Sequence, residues 1–256
     1  MKKFLSAALA ALLIVLTLTS CGGKLPDNKV YEAADMVGKT VGVLRDSPSA
    51  GYIAPFTGVL SVRYYDNAES LAVELKNGGI DCALADESTL AAMRKSSSRL
   101  HALEEKFIDR SYCIAVSVEN RIMIENIGMA LSAMSRDGTL AAIVDGWLNG
   151  GYAGAYQNGE YERSISVAVQ PGFYPYAFYD EEGELTGLEI DIVYEICARL
   201  GLNVEFAPVD SERLLYMAES GKTSFAIGLI VQDPDNEAIS YSENYMHSTQ
   251  LIVVRG

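Results

Sequence analysis

Four cysteines and two histidines bound the metal and thiol chemistry open to this 256-residue chain. Cys21 follows Leu18-Thr19-Ser20 and precedes Gly22, directly after an apolar run from Phe4 to about Leu18. Small residues leading to a cysteine at that place look like a bacterial lipobox. There the thiol is acylated and the cysteine becomes the new N-terminus. Met1-Lys2-Lys3 ahead of the run completes the layout of a signal peptide. Several acyl chains on one residue hold a protein firmly, since each buried methylene adds roughly 0.8 kcal/mol. Residues 1–20 are therefore read as a signal peptide and 21–36 as a lipid tether. The expected location is extracytoplasmic, lipid-anchored to the cell membrane. Cys82, Cys113 and Cys197 stand alone in apolar segments, without CxxC or Cys/His spacing. An exported protein could pair two of them and leave one over; buried free thiols are the preferred expectation. With only His101 and His247 beside them, no metal site and no cofactor is expected.

Carboxylates are the remaining source of chemistry. Glu87, beside Asp86, or Glu243 could supply a general acid. No nucleophile with a base and an orienting group accompanies them, so no enzyme is predicted. Asp86 sits where an apolar strand gives way to a helix. It is either a helix N-cap or a carboxylate presented at the ligand-facing edge of a sheet. Arg45-Asp46-Ser47-Pro48-Ser49 opens another helix, whose first amides attract anions. The formal net charge is −14, which disfavours nucleic acid and anionic lipid as partners beyond the anchor.

These groups need elements to position them. Lys39-Thr40-Val41-Gly42-Val43-Leu44, Val62-Arg63-Tyr64-Tyr65 and Ile80-Asp81-Cys82-Ala83-Leu84-Ala85 read as strands. Helical stretches near 50–56, 69–75 and 87–94 separate them. Tyr112-Cys113-Ile114-Ala115-Val116-Ser117-Val118 reads as a further strand, with helices over about 121–135 and 138–148 behind it. The Gly- and Tyr-rich stretch 149–163 is the clearest linker. A second series follows: a strand at 165–169, a turn at Asp180-Glu181-Glu182-Gly183, a helix over 189–200, a strand at 204–206, a helix over 211–220 and a strand at 225–228. Gln250-Leu251-Ile252-Val253-Val254 closes it. Strands alternating with helices imply parallel α/β sheets, in two lobes of comparable size.

Within the second series, Ile165-Ser166-Val167-Ala168-Val169, then Gly172-Phe173-Tyr174-Pro175-Tyr176, Gly187-Leu188-Glu189-Ile190-Asp191 and Ser242-Glu243-Asn244-Tyr245 form one set of motifs. The set resembles the opening of the bacterial extracellular solute-binding proteins of the polar amino-acid type, family 3. Val37-Gly38-Lys39-Thr40-Val41-Gly42-Val43, Gly79-Ile80-Asp81-Cys82-Ala83-Leu84-Ala85-Asp86 and Asp137-Gly138-Thr139-Leu140 resemble the later part of the same family. The order is reversed, which implies a circular permutation. Residues 37–111 would be the family's lobe two and 112–256 its lobe one, joined at the family's ends through 149–163. The implied fold is the two-lobed periplasmic-binding-protein type II fold, each lobe a central sheet flanked by helices, with the ligand cleft between them. Only the crossing near 112–116 would then remain covalent, with residues 28–38 packed beside the C-terminal strand in place of the other.

The resemblance implies roles for particular residues. Asp86 falls at the acid that receives the ligand ammonium. Phe173 falls at the aromatic that packs on the ligand, with Tyr174 and Tyr176 beside it. Gln170 falls at a polar reader. The expected carboxylate-clamping Arg is replaced by Asn236, a loss that Arg45, Ser47 and Ser49 could offset from the other lobe. The implied function is capture of a small polar solute, an amino acid or derivative, by lobe closure for the permease of an ABC importer. The protein would act as a monomer that meets the membrane through its lipid anchor alone. A non-transport receptor or interaction lipoprotein with a degenerate cleft is the alternative. A dehydratase-like enzyme is a weaker one.

Overall fold

The computed structural model describes residues 30–45, 47–149 and 156–256. The expected leader, Cys21, much of the tether, Asp46 and part of the linker lie outside the described residues. A 3-10 turn at Ala33–Met36 leads into β1 (Thr40–Leu44). Then come α1 (Pro48–Ile53), β2 (Ser61–Tyr65), α2 (Ala68–Lys76), β3 (Cys82–Ala85) and α3 (Glu87–Ser96). The helices start where short polar side chains can satisfy free amides. Asn67 Oδ1 accepts from Ser70 N at 2.9 Å, and Asp86 Oδ1 from Thr89 N at 2.7 Å.

β4 (Leu100–Ser117) is 18 residues long and spans about 60 Å at the usual strand rise. Beyond it lie α4 (Arg121–Asp137), α5 (Thr139–Asn149), β5 (Ser164–Val169), and the short pair β6 (Phe178–Tyr179) and β7 (Leu185–Thr186). α6 (Leu188–Arg199), β8 (Asn203–Pro208), α7 (Ser211–Glu219), β9 (Phe225–Ile230), β10 (Ile239–Tyr241) and β11 (Met246–Arg255) complete the chain. Arg199 pairs with Asp137 and Glu195, both at 2.7 Å, and so ties the junction of α4 and α5 to α6.

The strands repeat one order twice. In the first half it is β2-β1-β3-β11-β4, with β1 parallel to β2 and β3, and β11 antiparallel to β3 and β4. In the second it is β8-β5-β9-β4-β10, with β5 parallel to β8 and β9, and β4 antiparallel to β9 and β10. Two α/β halves of one topology are what the type II architecture requires. β4 belongs to both: it pairs with β11 up to Tyr112 and with β9 and β10 from Cys113 onward.

The register corrects two expectations. Residues 112–256 do not all serve one lobe, because Leu251–Val253 hydrogen-bond to Ala83–Ala85 of β3. The chain therefore crosses between the halves twice, along β4 and again through 242–246 into β11, and Met246 pairs with Tyr112. The apolar run Leu251–Val254 is equally compatible with either sheet by pattern, so sequence could not assign it. Val30 and Met36 do share a buried cluster with Ile252 and Val254. They extend the core of the first half and do not replace a crossing.

The largest core lies between the second sheet and α4, α5 and α6, with Ile127, Leu131, Ile143, Ile192 and Ile196 packed on Ile114, Val167, Phe225 and Ile227. Cys82, Cys113 and Cys197 are free and buried, as expected, and burial pushes each thiol up to about 12. Since the thiolate is the reactive form, none should react with iodoacetamide at neutral pH until the protein unfolds. Labelling followed by mass spectrometry checks this: Cys82, Cys113 and Cys197 unmodified when native and all three modified in denaturant, read separately from Cys21.

Candidate functional site

The two halves meet at α1. This helix follows β1 in the first half and rests on the loop 172–177 that follows β5 in the second. Ser49, 2 % exposed, donates to Gln250 Oε1 at 2.5 Å. Tyr52 donates to the Tyr176 hydroxyl at 3.0 Å. A side chain on Gly51 would place its Cβ 2.8 Å from the Tyr174 carbonyl, so glycine permits the close approach. The carboxyl ends of both parallel strand sets thus face one another, where a ligand between lobes would lie.

The floor of this contact is a buried polar network. Tyr52 also neighbours Ser248 and Tyr112, and burial raises the hydroxyl pKa of Tyr52, Tyr112 and Tyr176. Deeper in the second half, Glu189 is 1 % exposed and accepts from Leu229 N at 2.7 Å and from the Tyr245 hydroxyl. Burial pushes its carboxyl up to about 7, against the pull of those two donors. Leu229 holds a left-handed φ of 53°, and the β4–β9 register shifts between Cys113 and Ala115. Asp191 lies two residues beyond Glu189 on α6 and accepts from Trp147 Nε1 at 2.6 Å, with its carboxyl pushed up to about 6 by burial.

The loop 172–177 also builds the start of α6. Leu188 N donates to Pro175 O at 2.9 Å and Glu189 N to Tyr176 O at 2.9 Å. Backbone carbonyls thereby satisfy amides that a capping side chain usually serves.

The expected ligand residues divide among these environments. Asp86 ends β3 beside β1 and caps α3, receiving Thr89 N and Ser88 Oγ on Oδ1 alone. Its Oδ2 has no partner among the described residues. Phe173 and Tyr174 are half-buried, and the Tyr174 ring packs against Phe178 with centroids 4.9 Å apart. Gln170 is half-buried against Gly228. Tyr176 is a core residue at 1 % exposure, hydrogen-bonded and not free to read a ligand.

The expected anion clamp does not assemble. Arg45 turns away to Asp66 at 3.1 Å in an exposed pair, with its guanidinium 5.9 Å from the Tyr64 ring centroid. Ser47 donates to Leu44 O at 2.8 Å, and the hydroxyl of Ser49 is committed to Gln250. α1 has only six residues. Asn236 accepts from Ala238 N at 3.1 Å and so closes its own turn before β10. Sequence reasoning missed Glu189, Tyr52, Tyr245, Ser248 and Gln250 as members of the network. The available signal was polar residues inside apolar runs, as in Leu188-Glu189-Ile190-Asp191-Ile192 and Gln250-Leu251-Ile252-Val253.

Residues 165–256 match the sequence profile of the bacterial extracellular solute-binding proteins, family 3. The chain is 30 % identical over 119 residues to the ABC transporter arginine-binding protein 1 of Escherichia coli K12, covering 44 % of this chain and 49 % of that protein. It is 26 % identical over 122 residues to an L-cystine-binding protein of the same organism, covering 47 % and 46 %. A phosphate-binding protein of a Streptococcus pneumoniae phosphate ABC transporter overlays at a TM-score of 0.48 and 8 % identity, covering 85 % of this chain and 88 % of that one. The chain spans about half the length of the curated relatives it matches.

Proposed function

We propose that this chain is a non-catalytic binding lipoprotein, anchored through Cys21, that closes its two halves on a small polar solute carrying a positive charge. An amino acid or amine-bearing derivative fits, and the bound protein would deliver it to an ABC importer. The observation that carries this reading is Asp86. Its Oδ1 is spent on the helix cap, while Oδ2 is left at the carboxyl end of β3 on the side where the halves meet. The names of the relatives, which are arginine- and cystine-binding proteins, point the same way. The missing clamp argues for a ligand held chiefly by its cationic end.

The family's parts stand in permuted order in this reading. It is supported by a family match confined to 165–256, by relatives that align over less than half of the chain, and by the twice-repeated strand order. Closure would work by differential affinity of the ligand for the closed arrangement. A receptor or interaction protein with a degenerate cleft is the second reading. It is favoured by the Tyr52–Tyr176 bond, which joins the halves directly.

A thermal-shift screen of the mature chain with amino acids, amines and short peptides separates the two. A ligand at 100 times its dissociation constant adds about 2.7 kcal/mol of stability. Asp86→Asn keeps an oxygen for the Thr89 amide and removes the charge. It is expected to leave the unliganded melting temperature unchanged and abolish the shift. Asp86→Ala should lose the cap as well, at a cost of about 1 kcal/mol. A shift that survives Asp86→Asn, or no shift with any compound, contradicts the reading.

A further inference from the structure

We propose that the first half carries a second binding site, an anion pocket for a phosphate group, at the end of its sheet opposite Asp86. A cavity of about 550 Å³ opens there, lined by Lys76, Arg94, Lys95, Arg99 and Arg255 with Ser96, Ser97 and Ser98. Five cations converge, and no aspartate or glutamate is among the lining residues, on a chain whose formal net charge is −14. Arg255 closes β11 two residues beyond Val253, which pairs with Ala83 of β3, so the cavity lies at the start of the β3 strand and Asp86 beyond its end.

Helix ends account for part of the cluster. α2 ends at Lys76 and α3 at Ser96, and cations in the last turn complement the helix dipole. They do not account for Arg99 and Arg255, which reach the same cavity from the approach to β4 and the end of β11. Among the described residues, Lys76, Arg94, Lys95 and Arg99 form no ion pair. Two guanidinium groups are held in place by backbone. Arg94 Nε donates to Leu100 O at 3.0 Å, and Arg255 Nη1 to Ile80 O at 3.0 Å and Leu75 O at 3.3 Å. Fixed forks beside serine hydroxyls suit a tetrahedral oxyanion with several acceptor oxygens. Charges this close repel one another, and a bound anion relieves the repulsion. A carboxylate at Gly256 would offset one of the five charges and leave four. Screening within about 10 Å lets such a pocket act against the overall acidic charge.

A phosphate could arrive free or on a lipid headgroup. The described chain begins near the pocket: Tyr31 and Glu32 line a separate hollow with His101, Glu104 and Glu105, and His101 approaches Gly256 of the pocket lining. If Cys21 is acylated, as proposed above, the nine residues from Gly22 to Val30 span at most about 30 Å. The pocket would then stand within reach of the membrane surface, which favours the headgroup.

The test uses the mature chain without its lipid. Binding is measured to vesicles of phosphatidylglycerol, to vesicles of phosphatidylcholine, and to inorganic pyrophosphate by calorimetry. Lys95 and Arg99 are exposed, so Lys95→Gln with Arg99→Gln should fold normally. The expected result is binding to phosphatidylglycerol and not to phosphatidylcholine, weakened about tenfold or more by the double variant, the loss of about 1.4 kcal/mol or more that two strong contacts supply. Arg99→Lys should fall between. Pyrophosphate binding with the same loss also supports the site and assigns the free source. No binding to either phosphate probe, or binding indifferent to the double variant, overturns it. Asp86→Asn should leave this binding intact, so failure here and failure of the cleft are read separately.

Discussion

Replacing Glu189 with alanine is expected to cost the fold about 4 kcal/mol, measured by urea denaturation. The carboxyl is buried and accepts from Leu229 N and the Tyr245 hydroxyl. Its removal leaves two buried donors without an acceptor, each worth about 1–3 kcal/mol, and a small void between them. Leu229 is also a non-glycine residue in the left-handed region, a conformation that persists only where its surroundings enforce it. Glu189→Gln keeps an acceptor oxygen and should cost far less, about 1 kcal/mol.

The same pair of variants carries a pH signature. Burial raises the Glu189 carboxyl from the ordinary glutamate range, near 4.5, to about 7. Between those values the folded protein binds more protons than the unfolded chain. Stability from this group is therefore full below about pH 4.5, falls as pH rises, and is lost above about pH 7, in total about 3 kcal/mol. Asp191, raised to about 6, acts in the same direction. The wild type should be more stable at pH 5 than at pH 8. Glu189→Gln should flatten that slope, and an unchanged slope would mean that another group titrates.

Gly187→Ala is expected to be as damaging, at about 3 kcal/mol or more in the same assay, with loss of soluble protein as the extreme. The residue has a φ of 133°, where side chains are rarely tolerated. A Cβ there would stand 2.3 Å from Tyr176 O and 3.0 Å from Ala177 N. Both obstacles are backbone, so no rotamer change relieves them. The backbone they belong to is the loop that caps α6 and receives Tyr52, so the damage should reach the contact between the halves. Gly183→Ala, at a similarly positive φ of 84° but with open space around its Cβ, should cost only about 1 kcal/mol and serves as the control.

Much of the fold was legible because parallel strands buried on both faces read as unbroken apolar runs. Cys82–Ala85 and Phe225–Ile230 are such runs, and helices stopped where Gly138 and Gly201 allowed. The first part of β4 was not legible. Leu100–Ser111 pairs with β11 on one side and carries Glu104, Glu105, Lys106, Asp109 and Arg110, so the apolar signal disappears. The cap at Asp86 was legible, where a strand end and a helix start coincide. The aromatics were not legible. Tyr174 and Tyr176 differ by two positions, yet one packs at the loop surface and the other lies in the core, because burial depends on which half of the molecule α1 meets. Nor could pattern show that Arg45 would turn to Asp66 or that Ser49 would be taken up by Gln250.

In the reading proposed above, the two halves of the molecule are those of one solute-binding protein whose parts are joined in exchanged order. Restoring the family's order tests it most directly. A chain can be built in which residues 156–256 come first and residues 30–149 follow through a short flexible linker. Gly256 lies against His101, and the same histidine lines a hollow with Tyr31, so the new joint has little distance to bridge. The reordered chain should unfold in one cooperative transition within a few degrees of the original and take up the same solute in calorimetry, with the same loss on Asp86→Asn. A reordered chain that stays unfolded while the original folds, or one that folds and no longer binds that solute, would contradict the account.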